Sequence, residues 1–156
     1  MTNRISAMST LCFFLCAPAV CQAQKVVIQV TQSTTAGKAI YSYSVKNCSR
    51  SPIWMIELGR KESDDPVLEA EPAKVISPAK WQGASMWLEG SSPERYLVTW
   101  KQPETESLKK FLINPGETLS GFVIISSKPS SSFLKCPFTV SFLSGDSYSG
   151  FMTGQQ

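Results

Sequence analysis

Residues 40–47 read Ile-Tyr-Ser-Tyr-Ser-Val-Lys-Asn, and from the first tyrosine onward bulky and polar side chains alternate. In an extended chain Tyr41, Tyr43 and Val45 fall on one face, and the two serines and the lysine fall on the other. This period of two is typical of a strand that buries one face and leaves the other in solvent. The stretch therefore predicts a half-buried β-strand.

The chain after residue 23 is built largely from further segments of this kind. Short runs rich in β-branched and aromatic residues are separated by clusters of Gly, Pro, Asn, Asp and Ser, which favour turns. The predicted strands are residues 26–31, 40–47, 53–58, 96–101, 118–126, 138–143 and 148–152.

Residues 67–93 are the least regular part of the sequence. Three prolines in this segment argue against long central strands, because proline removes a backbone hydrogen-bond donor. We predict a long connection that carries one or two short strands, with Trp81 and Trp87 lying over the core. The only helix candidate is the short segment 104–110.

The number and spacing of the strands predict the fold class. About seven to eight short strands with almost no helical periodicity are typical of an all-β, antiparallel β-sandwich, and a small barrel is the alternative. Residues 40–47 and 53–58 are expected to form a hairpin, because only a short polar turn joins them. Gly121 is expected to mark a β-bulge within residues 118–126.

Two segments carry a family resemblance. Residues 41–49 (Tyr-Ser-Tyr-Ser-Val-Lys-Asn-Cys-Ser), followed by Pro-Ile-Trp at 52–54, resemble the strand–turn–strand of immunoglobulin-like domains in exported bacterial proteins. Residues 113–122 (Ile-Asn-Pro-Gly-Glu-Thr-Leu-Ser-Gly-Phe) are similar to a segment in the later half of such domains. The resemblance implies an immunoglobulin-like sandwich. It implies no active-site residue, because the matching motifs are strands and turns.

The N-terminus is typical of an export signal. Arg4 supplies a positive charge, residues 11–20 are predominantly apolar, and Ala23 completes a small-residue cleavage site. We predict a signal peptide over residues 1–23, a single β-sandwich domain over residues 24–156, and a periplasmic or extracellular location. The apolar run is too short to cross about 30 Å of hydrocarbon, so we expect no stable membrane anchor; a retained N-terminal anchor is the alternative.

Cysteine usage agrees with export. Cys12, Cys16 and Cys21 belong to the predicted signal peptide, which leaves Cys48 and Cys136 in the mature chain. Two cysteines in an oxidising compartment predict one disulfide bond between them. Two separate buried thiols are the alternative.

The sequence contains no histidine. Nucleophiles that an imidazole activates, and most zinc sites, are thereby excluded. The densest acidic cluster, Glu62, Asp64 and Asp65, is expected to be a solvated turn, because Arg60 and Lys61 oppose a bound cation. We therefore predict no catalytic residue, no metal site, no cofactor and no enzymatic activity.

Charge argues against nucleic acid as a partner. The net charge of the whole chain is +3, and the basic residues are scattered among acidic ones apart from the pair at 109 and 110. A nucleic-acid-binding protein concentrates Lys and Arg on one face. We expect a protein or polysaccharide partner outside the cytoplasm.

The aromatic residues provide the leading functional hypothesis. Trp54, Trp81, Trp87 and Trp100 either fill the core or form a platform on which a sugar ring or an apolar partner stacks. Trp81 and Trp87 lie in the irregular segment and are the candidate ligand-face residues. The sequence thus predicts a non-enzymatic binding or structural interaction module, and a carbohydrate-binding accessory protein is the alternative.

Overall fold

The structure is a computed structural model that describes residues 24–60, 66–90, 93–103 and 111–154. The predicted signal peptide, the acidic cluster at 62–65 and the helix candidate at 104–110 lie outside the described residues. Within the described ranges the elements are β1 (Val26–Thr35), β2 (Lys38–Asn47), β3 (Ile53–Leu58), β4 (Lys74–Ile76), β5 (Gln82–Trp87), β6 (Tyr96–Lys101), β7 (Thr118–Ser126), a 3-10 turn (Ser131–Phe133), β8 (Lys135–Phe142) and β9 (Ser147–Thr153).

The strands form two antiparallel sheets. The first sheet has the order β1-β2-β7-β4 and the second has the order β5-β6-β3-β8-β9. Ala36 and Gly37 join β1 to β2 with φ values of 50° and 75°, which suit the right-handed twist of a two-residue hairpin. The predicted antiparallel β-sandwich is confirmed.

The predicted hairpin between residues 40–47 and 53–58 is wrong. β2 pairs with β1 and β7, whereas β3 pairs with β6 and β8 in the other sheet. The turn between them carries the chain from one sheet to the other. The buried side chain of Asn47 holds this turn, because its amide donates to the carbonyls of Ser51 and Ile113 over 2.9 and 2.8 Å.

The predicted bulge at Gly121 is confirmed. Tyr43 pairs with Phe122 and the next residue, Ser44, pairs with Ser120, so that Gly121 is the additional residue on β7. Its φ of 99° is a conformation that side chains with a Cβ atom rarely adopt. The bulge therefore keeps the inward-facing residues of β2 and β7 opposite one another on both sides of Gly121.

Aromatic rings from both sheets make the centre of the core. Trp100 of β6 lies between Tyr43 of β2 and Phe122 of β7, with ring centroids 5.6 and 5.4 Å away. Tyr41 packs on Phe133 at 5.0 Å. All five of these side chains are buried, and burial of apolar surface on this scale is the main force that holds the two sheets together.

The predicted bridge between Cys48 and Cys136 is wrong. Cys136 carries a free thiol on β8 and is 2% exposed. The hydroxyl of Tyr43 donates to the carbonyl of Phe133 over 2.9 Å, which places the start of β8 level with the middle of β2. Cys48 lies about 16 Å further along β2 and its extension, whereas the Cα atoms of bridged cysteines lie within about 7 Å. Cys48 is disulfide-bonded, and Cys136 is not its partner.

Candidate functional site

The two candidate tryptophans lie in different environments. Trp81 is 6% exposed, its ring meets Phe122 edge-on at 5.2 Å, and its indole N–H donates to the carbonyl of Phe111 over 2.9 Å. Trp87, at the end of β5, is 58% exposed. The prediction of Trp81 as a ligand-face residue is therefore wrong, because its ring covers the core. Only Trp87 of the pair presents its ring to solvent.

A cavity of about 660 Å³ lies between β1 and β9, and we call it the edge groove. β1 is the first strand of its sheet and β9 is the last strand of the other, so the groove opens along the margin of the sandwich. It is lined by residues 26–32 with Gln24, Phe138, Tyr148, Gly150, Phe151, Met152 and Gly154.

The outer edge of β1 presents free backbone groups to the groove. The N–H of Cys48 donates to the carbonyl of Lys25 over 2.9 Å, and in an antiparallel ladder this bonding alternates along the strand. The N–H and C=O groups of Ile28 and Val30 therefore point away from β2. In the part of the chain that the structure describes, no strand pairs with this edge. Such an edge is a template for another strand.

The groove contains apolar side chains among uncharged polar ones. Ile28 of β1 and Tyr148 of β9 are half-buried and pack against the core. Part of each side chain therefore remains exposed and can contact a ligand. The ring of Phe138 lies against Gly150, where a Cβ atom would come within 2.6 Å of the ring. Every lining residue is uncharged at neutral pH. The groove is therefore suited to binding apolar side chains and not to proton transfer.

A second concave surface surrounds Trp87, and we call it the tryptophan cleft. It has a volume of about 240 Å³ and is lined by Glu71, Ser85, Met86, Trp87, Glu94 and Tyr96. The hydroxyl of Tyr96 donates to the carboxylate of Glu94. This hydrogen bond, partial burial and the charges of Glu94 and Glu71 raise the pKa of Tyr96 to about 12. The cleft is thus acidic and carries an exposed aromatic ring.

The strand pattern explains why the cleft was not predicted. Leu68 and Tyr96 exchange backbone hydrogen bonds of 3.2 and 2.9 Å outside the named strands, which brings Glu71 beside β6. The pairing of Trp87 with Tyr96 then places the tryptophan in the same region. No local pattern indicates that these distant positions meet.

Among the described residues no group of three or more His, Cys, Asp or Glu side chains is placed to hold a metal ion. Within the same ranges no helix has the length and apolar character to cross a bilayer.

Comparison with known proteins identifies the class of fold. No family model matches the sequence, and no curated protein matches it. An uncharacterized protein from Nocardia farcinica with an immunoglobulin-like fold is similar at a TM-score of 0.50 and 15% identity, over 78% of this chain and 82% of that one. The chain is an immunoglobulin-like β-sandwich, as the sequence resemblance implied.

A second solved structure is more distant. It is a GH20 exo-β-N-acetylglucosaminidase from Vibrio harveyi in complex with N-acetylglucosamine, with a TM-score of 0.42 and 14% identity. The match covers 84% of this chain but 18% of that one. At this distance the likeness carries no information about function.

Proposed function

We propose that the protein is a non-enzymatic interaction module outside the cytoplasm, and that it binds an extended segment of a partner protein in the edge groove. The observation that carries the proposal is the combination of an open strand edge with an uncharged groove that contains the apolar side chains of Ile28 and Tyr148. A partner strand that pairs with β1 gains main-chain hydrogen bonds from the edge and specificity from the groove.

The geometry defines the kind of segment that fits. The outward groups of Ile28 and Val30 recur every second residue and supply the hydrogen bonds of a new ladder. Every second side chain of the bound segment then enters the groove, where it meets Ile28 and Tyr148. Because the lining is uncharged, we expect an uncharged segment with alternating apolar residues, and binding that changes little with salt concentration.

The carbohydrate-binding alternative has weaker support than the interaction module, because only one of its two candidate tryptophans is exposed: Trp81 lies in the core and Trp87 faces solvent. The predicted export signal over residues 1–23 supports a location outside the cytoplasm, and the absence of histidine supports a role other than catalysis.

Amide hydrogen exchange tests the open edge. In the free protein we expect fast exchange at Ile28 and Val30 and slow exchange at Val27 and Gln29, whose N–H groups face β2. Synthetic peptides of about ten residues that alternate apolar and uncharged polar side chains are the probe. A peptide that binds as proposed slows exchange at Ile28 and Val30.

Two matched variants locate the binding. Ile28→Ser removes an apolar contact from the groove, and we expect it to weaken peptide binding at least tenfold. Ile40→Ser makes the same change at a half-buried position of β2 on the opposite face of its sheet, and we expect it to leave binding unchanged. Equal effects of the two variants, or protection that appears away from β1, contradict the proposal.

A further inference from the structure

We propose that the tryptophan cleft is a second binding site, which receives an arginine side chain of a partner polypeptide between the carboxylates of Glu71 and Glu94 and the face of Trp87. The site is independent of the edge groove. β5, which carries Trp87, begins the second sheet, while β9, which borders the groove, ends it.

Three separate segments build the cleft. Glu71 follows Leu68, which is tied to Tyr96 by two backbone hydrogen bonds. Glu94 precedes Tyr96 by two positions and accepts the hydrogen bond from its hydroxyl. Trp87 reaches the same place because it pairs with Tyr96 across the β5–β6 ladder. Strand pairing therefore holds both carboxylates close to one exposed ring.

Among the described residues, no cation forms an ion pair with the carboxylates of Glu71 and Glu94. The guanidinium of Arg95, which follows Glu94 in the chain, forms an ion pair with Glu69, with the nitrogen and oxygen atoms 2.9 Å apart. The raised pKa of Tyr96 has part of its cause in the negative charge of these two groups. A cationic group from outside the chain complements this charge.

The exposed apolar surface selects the type of cation. Trp87 is 58% exposed, and its ring is the apolar surface of the cleft. The face of an indole ring attracts a cation that lies over it. A guanidinium group is planar, stacks on an aromatic face and donates to a carboxylate through two parallel N–H groups. The combination of Trp87 with two carboxylates therefore fits arginine better than lysine.

Other ligands suit the cleft less well. An anionic group is repelled by Glu71 and Glu94. A divalent metal ion gains nothing from the indole ring, because hard cations take oxygen ligands. A sugar ring stacks on aromatic faces but leaves the negative charge unbalanced.

Nuclear magnetic resonance with a pair of peptides that match in shape but differ in charge tests the inference. The probe is an acetylated and amidated Gly-Arg-Gly-Arg-Gly peptide, and its counterpart contains citrulline, which keeps the shape of arginine without its charge. We expect the arginine peptide to shift the indole N–H signal of Trp87, identified by its loss in Trp87→Phe. We expect the citrulline peptide to leave that signal in place.

Charge variants complete the test. The double change Glu71→Gln and Glu94→Gln is expected to weaken arginine-peptide binding at least tenfold, whereas Glu57→Gln on β3 leaves it unchanged. Equal binding of the citrulline peptide, or undiminished binding to the double variant, overturns the inference. Ile28→Ser, which impairs the edge groove, is expected to bind the arginine peptide normally, so that failure at one site is distinguished from failure at the other.

Discussion

The hydroxyl of Tyr43 donates a hydrogen bond to the backbone carbonyl of Phe133, 2.9 Å away in the core. Tyr43 belongs to the first sheet, and Phe133 precedes the β8 strand of the second. A similar link joins Tyr41 to Ser130, whose N–H donates to the Tyr41 hydroxyl over 2.7 Å. Two tyrosines of one strand therefore bind the backbone of the segment that leads into β8 of the opposite sheet, which sets the relative position of the two layers.

Removal of the Tyr43 hydroxyl is expected to destabilise the fold. Tyr43→Phe leaves the buried carbonyl of Phe133 without this donor, which costs about 1–3 kcal/mol in the free energy of unfolding. Urea denaturation measures the change. The control is Tyr148→Phe at the half-buried wall of the edge groove, and we expect a loss below about 0.5 kcal/mol there. Equal losses in the two variants would show that the inter-sheet bond contributes little.

Stability is expected to fall at alkaline pH. Burial raises the pKa of Tyr43 well above 10.0 and that of the Cys136 thiol from 9.0 to about 12. Both groups stay neutral in the folded protein while the unfolded chain releases their protons, so the stabilisation is complete below pH 9 and is lost as pH rises. Cys136→Ala removes one of the two groups. The variant should therefore show a shallower fall of Tm between pH 8 and pH 11 than the parent protein.

The contact between Gly150 and Phe138 makes a larger side chain costly. A Cβ atom at Gly150 would lie 2.6 Å from the ring of Phe138, closer than real Cβ contacts allow. Gly150→Ala is expected to lower the free energy of unfolding by about 1–3 kcal/mol through overpacking. Thermal denaturation measures the loss. Addition of Phe138→Leu should recover part of it, and a double variant no better than the sum of the two single changes would contradict the proposed clash.

Asn47 is expected to be the residue at which substitution most destabilises the turn that joins the two sheets. Its amide donates to Ser51 and Ile113, and its oxygen accepts from the N–H of Ser49 over 2.9 Å. Asn47→Ala should cost about 2–4 kcal/mol, because several buried groups lose their partners together. The matched control is Asn114→Ala, where the side chain bonds to Glu117 at the surface. Similar losses at both sites in chemical denaturation would contradict the prediction.

The sequence predicted the strands whose composition is unambiguous. Ile53–Leu58, Tyr96–Lys101 and Thr118–Ser126 appear with the predicted bounds, because β-branched and aromatic residues dominate them and turn residues end them. One or two short strands were expected in residues 67–93, and the structure has two, β4 and β5, whose positions were not predicted. The sequence of β5 has low strand propensity, and it forms a strand because it pairs with β6.

Strand partners and side-chain burial were predicted less well. Proximity along the chain suggested that β2 and β3 pair, but the turn between them leads from one sheet to the other. Trp81 and Trp87 look equivalent in sequence, but Trp81 is buried and Trp87, at the end of β5, is exposed. The burial of the Cys136 thiol depends on which face of β8 packs against the core, and the spacing of the cysteines does not indicate this.

The position of β7 between β2 and β4 has a kinetic consequence. The β1–β2 hairpin closes through a two-residue turn, and hairpins of this kind form in about 1–10 μs. The free edge of β2, on which Tyr43 pairs with Phe122, gains a neighbouring strand only when β7 arrives from far along the chain. Until then the face that carries Tyr41 and Tyr43 stays exposed. Folds dominated by such distant pairings need milliseconds to seconds. During this delay the exposed hairpin face is the part of the chain most open to misassociation and to capture by a chaperone.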